Sequence, residues 1–281
     1  MPIQWNEIKT AIFDLDGTLY EDTHHFEYYA ALLEEKLDKN DRNSFRKDYE
    51  NMLKGKHPVA VGRVYDAVRD RVLEVDPETN RVINTWDWEG KPVTKEEEYK
   101  EPITFDFDSM IAIGDGWWLP VAAAKHYGVQ STYDAYHKTK EFMQTEAFQF
   151  TEQPERRKAL KQLRDHMKLI LITNSQADDV KRLLDTLDLN GIFHEVIANA
   201  KKPVHTEEHF KKIIETEEIL PNEAVSLGDN YLNDIVPAEN LGMNAVLIDP
   251  QGCTTTRGHT ECVQSLTDLF PTIKKLQHTS F

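Results

Sequence analysis

Ile12-Phe13-Asp14-Leu15-Asp16-Gly17-Thr18-Leu19 is the stretch from which the rest of this chain is read. An apolar run, Ala11-Ile12-Phe13, delivers two carboxylates two residues apart, and a glycine then turns the chain ahead of a threonine. A strand buried in a core can carry Ile8 to Phe13. It tolerates Asp14 and Asp16 only if they are paired or hold a metal. Two acids at the end of an apolar strand need an explanation from the remaining sequence.

Towards the C-terminus the texture is regular. Lys168 to Ile172 is a near-continuous apolar run, as expected of a strand covered on both faces. Phe193 to Ala198, Ala224 to Leu227 and Ala245 to Ile248 read as further strands. Glu155 to His166, Asp178 to Leu189, Glu207 to Glu218 and Ile235 to Leu241 read as helices, and Leu266 to Leu276 as mostly helical with Pro271 at a start or bend. Strand and helix alternating through short connections predict a parallel sheet wrapped by helices. The strand before Asp14 belongs to the same sheet, so residues from about Tyr20 to about Gln149 form an insertion.

That insertion opens with two helices. Phe26, Tyr29, Ala30, Leu33 and Leu37 recur at helical spacing, and Phe45, Tyr49, Met52 and Leu53 continue the pattern. Val61 to Val75 reads as a third helix with Val64, Val68 and Leu73 inward, with a switch to strand near Arg71 as the alternative. Arg71 to Val93 reads as a small hairpin or meander, with a turn at Asp76 to Asn80. Lys95 to Glu101 is a charge run read as a solvated loop. Trp117 to His126 and Thr132 to Phe148 read as helices, the second with an apolar stripe of Tyr133, Tyr136, Phe142 and Met143.

The 281 residues suffice for two modest domains with cores, and 40% hydrophobic content excludes a disordered chain. A formal net charge of −16 disfavours nucleic acid and anionic membranes as partners. It also repels phosphate-bearing molecules at long range, so a site for one must supply its own positive charge. Cys253 and Cys262 match no common zinc spacing and are expected as reduced thiols, in keeping with a cytoplasmic protein. Met1 to Lys9 has no basic region followed by an apolar run, so no signal peptide is expected, and no window reaches the roughly 20 apolar residues of a membrane span.

Ligands of an open α/β sheet bind beyond the carboxyl ends of its strands. After Ala11-Ile12-Phe13 come Asp14 and Asp16; after Leu169-Ile170-Leu171-Ile172 come Thr173-Asn174-Ser175; after Val225-Ser226-Leu227 come Gly228-Asp229 and, five residues past Asp229, Asp234. Lys201-Lys202-Pro203 follows Val196-Ile197-Ala198. Three polar clusters and a lysine thus fall on one rim.

Here the sequence resembles the haloacid dehalogenase-like superfamily of phosphohydrolases. Asp14-Leu15-Asp16-Gly17-Thr18-Leu19 resembles its first motif, Thr173-Asn174-Ser175 its second, Lys202-Pro203 its third, and Gly228-Asp229 with Asn233-Asp234 its fourth. The resemblance implies a Rossmann-like α/β core, residues 1–19 and 150–281. Residues 20–149 would be an inserted cap of the first type, mainly helical with a small β insertion. This cap is larger than the family's compact form, and Pro237-Ala238 stand where a glycine and a small residue are common.

The resemblance further implies Asp14 as nucleophile and Asp16 as general acid and base. Asp14, the Asp16 backbone carbonyl and Asp229 would be Mg²⁺ ligands, and Asp234 a second acid near the ion or a partner for the lysine. Lys202 would hold the nucleophile and a phosphate oxygen, while Thr173 and the amide of Asn174 bind phosphoryl oxygens. Gly17 permits the turn that returns Asp16, and Thr18 supports it. The physics agrees, because a carboxylate facing a phosphate dianion at about 4 Å costs on the order of 4 kcal/mol per unit charge pair at an effective dielectric of about 20. A cation must offset that, and Mg²⁺ prefers oxygen ligands.

Competing readings of single residues are plain. Thr173-Asn174-Ser175 can simply cap the next helix. Phe105-Asp106-Phe107-Asp108 imitates the first motif without its Gly-Thr, and Ile113-Gly114-Asp115-Gly116 imitates the fourth without its second acid. His24-His25 are expected as solvated or capping histidines and Trp117-Trp118 as core. The expectation is Mg²⁺-dependent hydrolysis of a small phosphorylated metabolite through an aspartyl-phosphate, with no nucleic acid or membrane partner and the oligomeric state open. The alternatives are a 2-haloacid dehalogenase, a sugar-phosphate mutase, and a binding protein with a dead site.

Overall fold

Thr10, Ala11, Ile12 and Phe13 are all buried, as in a strand enclosed on both faces and paired on both sides. The structure is a computed structural model, and it describes residues 2–76, 79–94, 99–106, 108–145, 147–250 and 260–276. Cys253, Phe107, Pro77, Glu78 and residues 95–98, on which parts of the sequence reading fall, lie outside the described residues.

The strands in chain order are β1 (Thr10–Phe13), β2 (Arg63–Asp66), β3 (Arg71–Val75), β4 (Val82–Trp86), β5 (Met110–Ile113), β6 (Lys168–Ile172), β7 (Glu195–Ile197), β8 (Ala224–Gly228), β9 (Asn244–Ile248) and β10 (Thr260–Val263). The α-helices are α1 (His24–Glu35), α2 (Arg42–Leu53), α3 (Trp118–His126), α4 (Tyr133–Phe142), α5 (Pro154–Arg164), α6 (Ala177–Thr186), α7 (Thr206–Thr216), α8 (Val236–Asn240) and α9 (Phe270–Leu276). The chain divides into two compact units, one of Met1–Glu21 with Phe150–Phe281 and the other of Asp22–Gln149.

The first unit is a six-stranded sheet in the order β10-β9-β8-β1-β6-β7, every pairing parallel. β1 is interior, and its register places Phe13 beside Leu171 of β6 and Leu227 of β8. All three strands therefore end at one level. Ile12, Ile170 and Ile172 pack with Phe210 and Ile213 of α7 and with Ala238 and Met243. Burying each such large apolar side chain stabilises the fold by about 1.5–3 kcal/mol. α6 turns Val180, Leu183 and Leu184 inward, and Pro154 opens α5 where its missing N–H costs no helical bond.

The second unit combines α1 to α4 with an antiparallel sheet in the order β4-β3-β2-β5. Val64, Leu73, Val82 and Ile103 form one apolar cluster of this sheet. Here the structure corrects the third helix expected over Val61 to Val75. β2 and β3 are strands joined by a turn, in which Asp66 Oδ1 accepts from the N–H groups of Val68 and Arg69, both at 3.0 Å. Val68, expected inward, is 74% exposed at that turn. The valines fitted two periods, and pairing with β3 and β5 selected the shorter one. The four-residue strands β5 and β10 were not expected, and the helix expected over Thr132 to Phe148 ends at Phe142.

Cys262, expected as a reduced thiol, is disulfide-bonded, which withdraws the thiol argument for a cytoplasmic setting. Among the described residues no helix is long and apolar enough to cross a membrane.

Candidate active site

The site starts where β1 runs out of apolar residues. Asp14 extends the ladder by one bond, its N–H donating to Leu227 O at 2.9 Å, and its carboxylate lies at the sheet's carboxyl edge, 9% exposed. The chain then turns through Gly17 at φ 77°, and Leu19 N–H donates to Leu15 O at 2.9 Å. A Cβ on Gly17 would stand 2.0 Å from Asp229 Oδ2. Glycine is required there twice, for the left-handed backbone and for the approach of a carboxylate.

β6 delivers Thr173, whose N–H donates to Ile197 O at 3.0 Å and whose Oγ1 accepts from Ser175 N–H at 3.1 Å. Asn174 clasps the backbone of Lys202 from both sides. Its Nδ2 donates to Lys202 O at 3.0 Å and its Oδ1 accepts from Lys202 N–H at 2.7 Å. The clasp aims the Lys202 side chain inward, where Nζ donates to Asp14 Oδ1 at 2.7 Å and to Asp234 Oδ1 at 2.5 Å. All three side chains are at least nine-tenths buried.

β8 ends at Gly228, where a Cβ would meet Asp234 Oδ2 at 2.3 Å. A π-helical turn over Tyr231–Ile235 follows, capped by Asn230 Oδ1 accepting from Asn233 N–H at 3.0 Å. Such wide turns recur at functional sites. This one swings Asp234 back so that its Oδ2 accepts from Asn230 N–H at 3.3 Å while Oδ1 faces Lys202.

Asp14, Asp229 and Asp234 each offer a carboxylate oxygen, all within 4.8 Å of one another. Burial pushes the Asp14 carboxyl up to about 7; Lys202 opposes this and the Asp234 and Asp16 charges add to it. Burial likewise raises Asp234 against the pull of Lys202. For Lys202, burial alone would lower the ammonium, but the Asp14 and Asp234 charges more than offset it and hold it above the ordinary lysine range. One ammonium is thus set against more acid than it can neutralise. A small all-oxygen pocket with excess negative charge fits a hard divalent cation.

The structure therefore brings Asp14, Lys202, Asp229 and Asp234 together, with Gly17 and Gly228 making room. Thr173 and Asn174 stand on the adjoining strand end, and Thr18 is buried with its Oγ1 unpartnered. Asp16 is different. Its carboxylate is outside the three-acid group, with Oδ1 accepting from the Tyr20 hydroxyl and Oδ2 from Ser175 Oγ at 2.9 Å. Sequence reasoning missed the Tyr20 contact and gave Ser175 no role of its own. The signal for Tyr20 is its place four residues after Asp16, across the turn at Gly17, where the two backbones form a bridge.

The imitations of the motifs resolve as local structure. Asp106 accepts from the N–H groups of Asp108, Ser109 and Met110, a turn whose hydrogen bonds hold its carboxyl down to about 2 despite the opposing effect of burial. Asp115 Oδ1 accepts from Trp117 N–H at 2.8 Å, just before α3. His25, expected solvated, is buried with its ring 4.1 Å from Phe26 and 4.7 Å from Trp117.

A family model described as haloacid dehalogenase-like hydrolase matches residues 8–242. Among curated proteins none matches. Among solved structures, a HAD-hydrolase from Bacillus subtilis bound to magnesium is similar at 16% identity and TM-score 0.52, over 95% of this chain and 99% of that one. A 2-haloacid dehalogenase from Pseudomonas syringae is similar at 17% identity and TM-score 0.45, over 95% and 98%. At 16% identity the likeness to the Bacillus subtilis structure concerns the fold alone.

Proposed function

The chain belongs to the haloacid dehalogenase-like hydrolases, and from that premise we propose that it hydrolyses a small phosphomonoester through a phosphorylated Asp14. The observation that carries this reading is the Lys202 ammonium joining Asp14 and Asp234 beside Asp229. A nucleophilic carboxylate must be kept ionised, aimed and screened from a phosphate dianion. Lys202 aims it and favours its ionised form against the opposing effect of burial. For the third, Mg²⁺ held by Asp14, Asp229 and Asp234, with the Asp16 carbonyl as the family's further ligand, would supply the positive charge that lets phosphate approach.

In the first step a carboxylate oxygen of Asp14 attacks phosphorus. The bond from phosphorus to the leaving oxygen breaks, and Asp16 delivers a proton to that oxygen. In the second step water attacks the same phosphorus, Asp16 takes the water's proton, and the Asp14 carboxylate is released. Thr173 Oγ1 and the Asn174 backbone N–H bind the non-bridging oxygens. Substrate choice is assigned to the inserted unit, and a small phosphorylated metabolite is the proposed class.

Dehalogenation of a 2-haloacid needs one attacking carboxylate and no cation. Asp229 and Asp234 beside Asp14 are surplus to it, which favours phosphate. The test is release of phosphate from p-nitrophenyl phosphate with and without Mg²⁺, with halide release from 2-chloropropionate in parallel. Mg²⁺-dependent phosphate release is expected. Halide release without it would replace this reading with the dehalogenase.

A further inference from the structure

Lys202 joins Asp14 and Asp234, whereas Asp16 is held by hydroxyls. Its Oδ1 accepts from Tyr20 and its Oδ2 from Ser175 Oγ at 2.9 Å. Neither donor is free to follow the carboxylate if it swings. Tyr20 is 1% exposed, its ring set edge-on to Phe150 at 5.0 Å, and its backbone forms a bridge with Asp16. Ser175 is fixed at its N–H by Thr173 Oγ1 at 3.1 Å and at its carbonyl by Asn199 N–H at 3.0 Å. The carboxylate is thus pinned at two points from two chain segments, which fixes the direction in which it faces.

The chemistry of the two partners is informative. An ammonium only donates, and Lys202 is engaged with Asp14 and Asp234. A hydroxyl donates to a carboxylate and accepts from a carboxylic acid. The two hydroxyls thus hold Asp16 in place without adding a charge beside it.

We propose that Tyr20 and Ser175 are positioning residues that aim Asp16 at the leaving oxygen and so determine how well the site expels a poor leaving group. The proposal rests on the phosphomonoesterase reading, in which Asp16 protonates that oxygen as the Asp14–phosphorus bond forms and the bond to the leaving group breaks. A misaimed acid slows departure of a basic leaving group more than that of one able to leave as an anion.

Phenyl phosphate and p-nitrophenyl phosphate separate this role from a merely structural one, because they share a ring and differ mainly in how readily the phenolate departs. The experiment compares kcat/KM for both esters in wild type, Tyr20→Phe, Ser175→Ala and Ser175→Thr, all with Mg²⁺. Tyr20→Phe keeps the ring packed on Phe150 and removes only the hydroxyl. Each hydroxyl deletion should lower kcat/KM on phenyl phosphate roughly tenfold more than on p-nitrophenyl phosphate, the scale of one hydrogen bond to a charged group. Ser175→Thr, which retains a hydroxyl, should recover most of the ratio. If Tyr20→Phe fails to fold, the two Ser175 variants carry the same comparison. Equal losses on the two esters, or none, in an active enzyme overturn this proposal alone. A wild type inactive on both overturns the phosphomonoesterase reading and this proposal with it.

Discussion

Lys202 joins two buried carboxylates through one ammonium, so its removal is the most disruptive single change at the site. Lys202→Met would leave Asp14 and Asp234 buried and unpaired, and breaking a buried pair in this way costs about 3–5 kcal/mol. Urea denaturation in the absence of Mg²⁺ should show a loss of that order; one below about 1 kcal/mol would mean the acids find other partners. Asp14 gives a prediction in pH. Its folded value of about 7 lies above the ordinary 3.8, so its contribution to stability is complete below the latter and is lost as pH rises through the former. A cation bound to the ionised carboxylate removes that penalty. The rise in Tm on adding Mg²⁺ should therefore be larger at about pH 8 than at about pH 5. A shift independent of pH would place the ion elsewhere.

At the scale of elements, the rim is built by three strands that stop at the same level and two glycines that let the following loops close in. Gly17→Ala would impose both a left-handed alanine and a Cβ 2.0 Å from Asp229 Oδ2. Asp229 must then leave its place, and Mg²⁺ affinity should fall at least about tenfold by calorimetry, with Gly228→Ala acting likewise through Asp234. Unchanged affinity in both variants would remove Asp229 and Asp234 from the ion. These strand ends were legible in the sequence because polar residues follow apolar runs abruptly at Asp14, Thr173 and Gly228-Asp229. The β2–β3 pair was less legible, because Val64 and Val68 fit a helical face as well as they fit a strand and the turn between. Pairing with β3 and with β5, a four-residue strand too short to stand out, settles the period. The tether on Asp16 was illegible for another reason. Ser175 reaches Asp16 across 159 residues of chain, a relation that sequence spacing does not carry.

At the scale of the whole molecule, the insertion leaves the chain just after the turn that follows Asp14, and it brings its own sheet and apolar cluster. The net charge of −16 opposes the arrival of any phosphate dianion. Salt screens that field, with a Debye length near 8 Å at about 0.15 M. KM for p-nitrophenyl phosphate should accordingly fall as ionic strength rises from about 0.01 to 0.15 M, with kcat little changed, whereas a rising KM would mean that local positive charge governs capture. Phosphorylation of Asp14 can be observed by acid-quenching the enzyme during turnover of p-nitrophenyl phosphate with Mg²⁺ and mapping the phosphoryl group by peptide mass. One phosphoryl group is expected on Asp14 in the wild type, and neither label nor phosphate release in Asp14→Asn. Phosphate release with no labelled peptide, or an active Asp14→Asn enzyme, would contradict phosphorylation of Asp14.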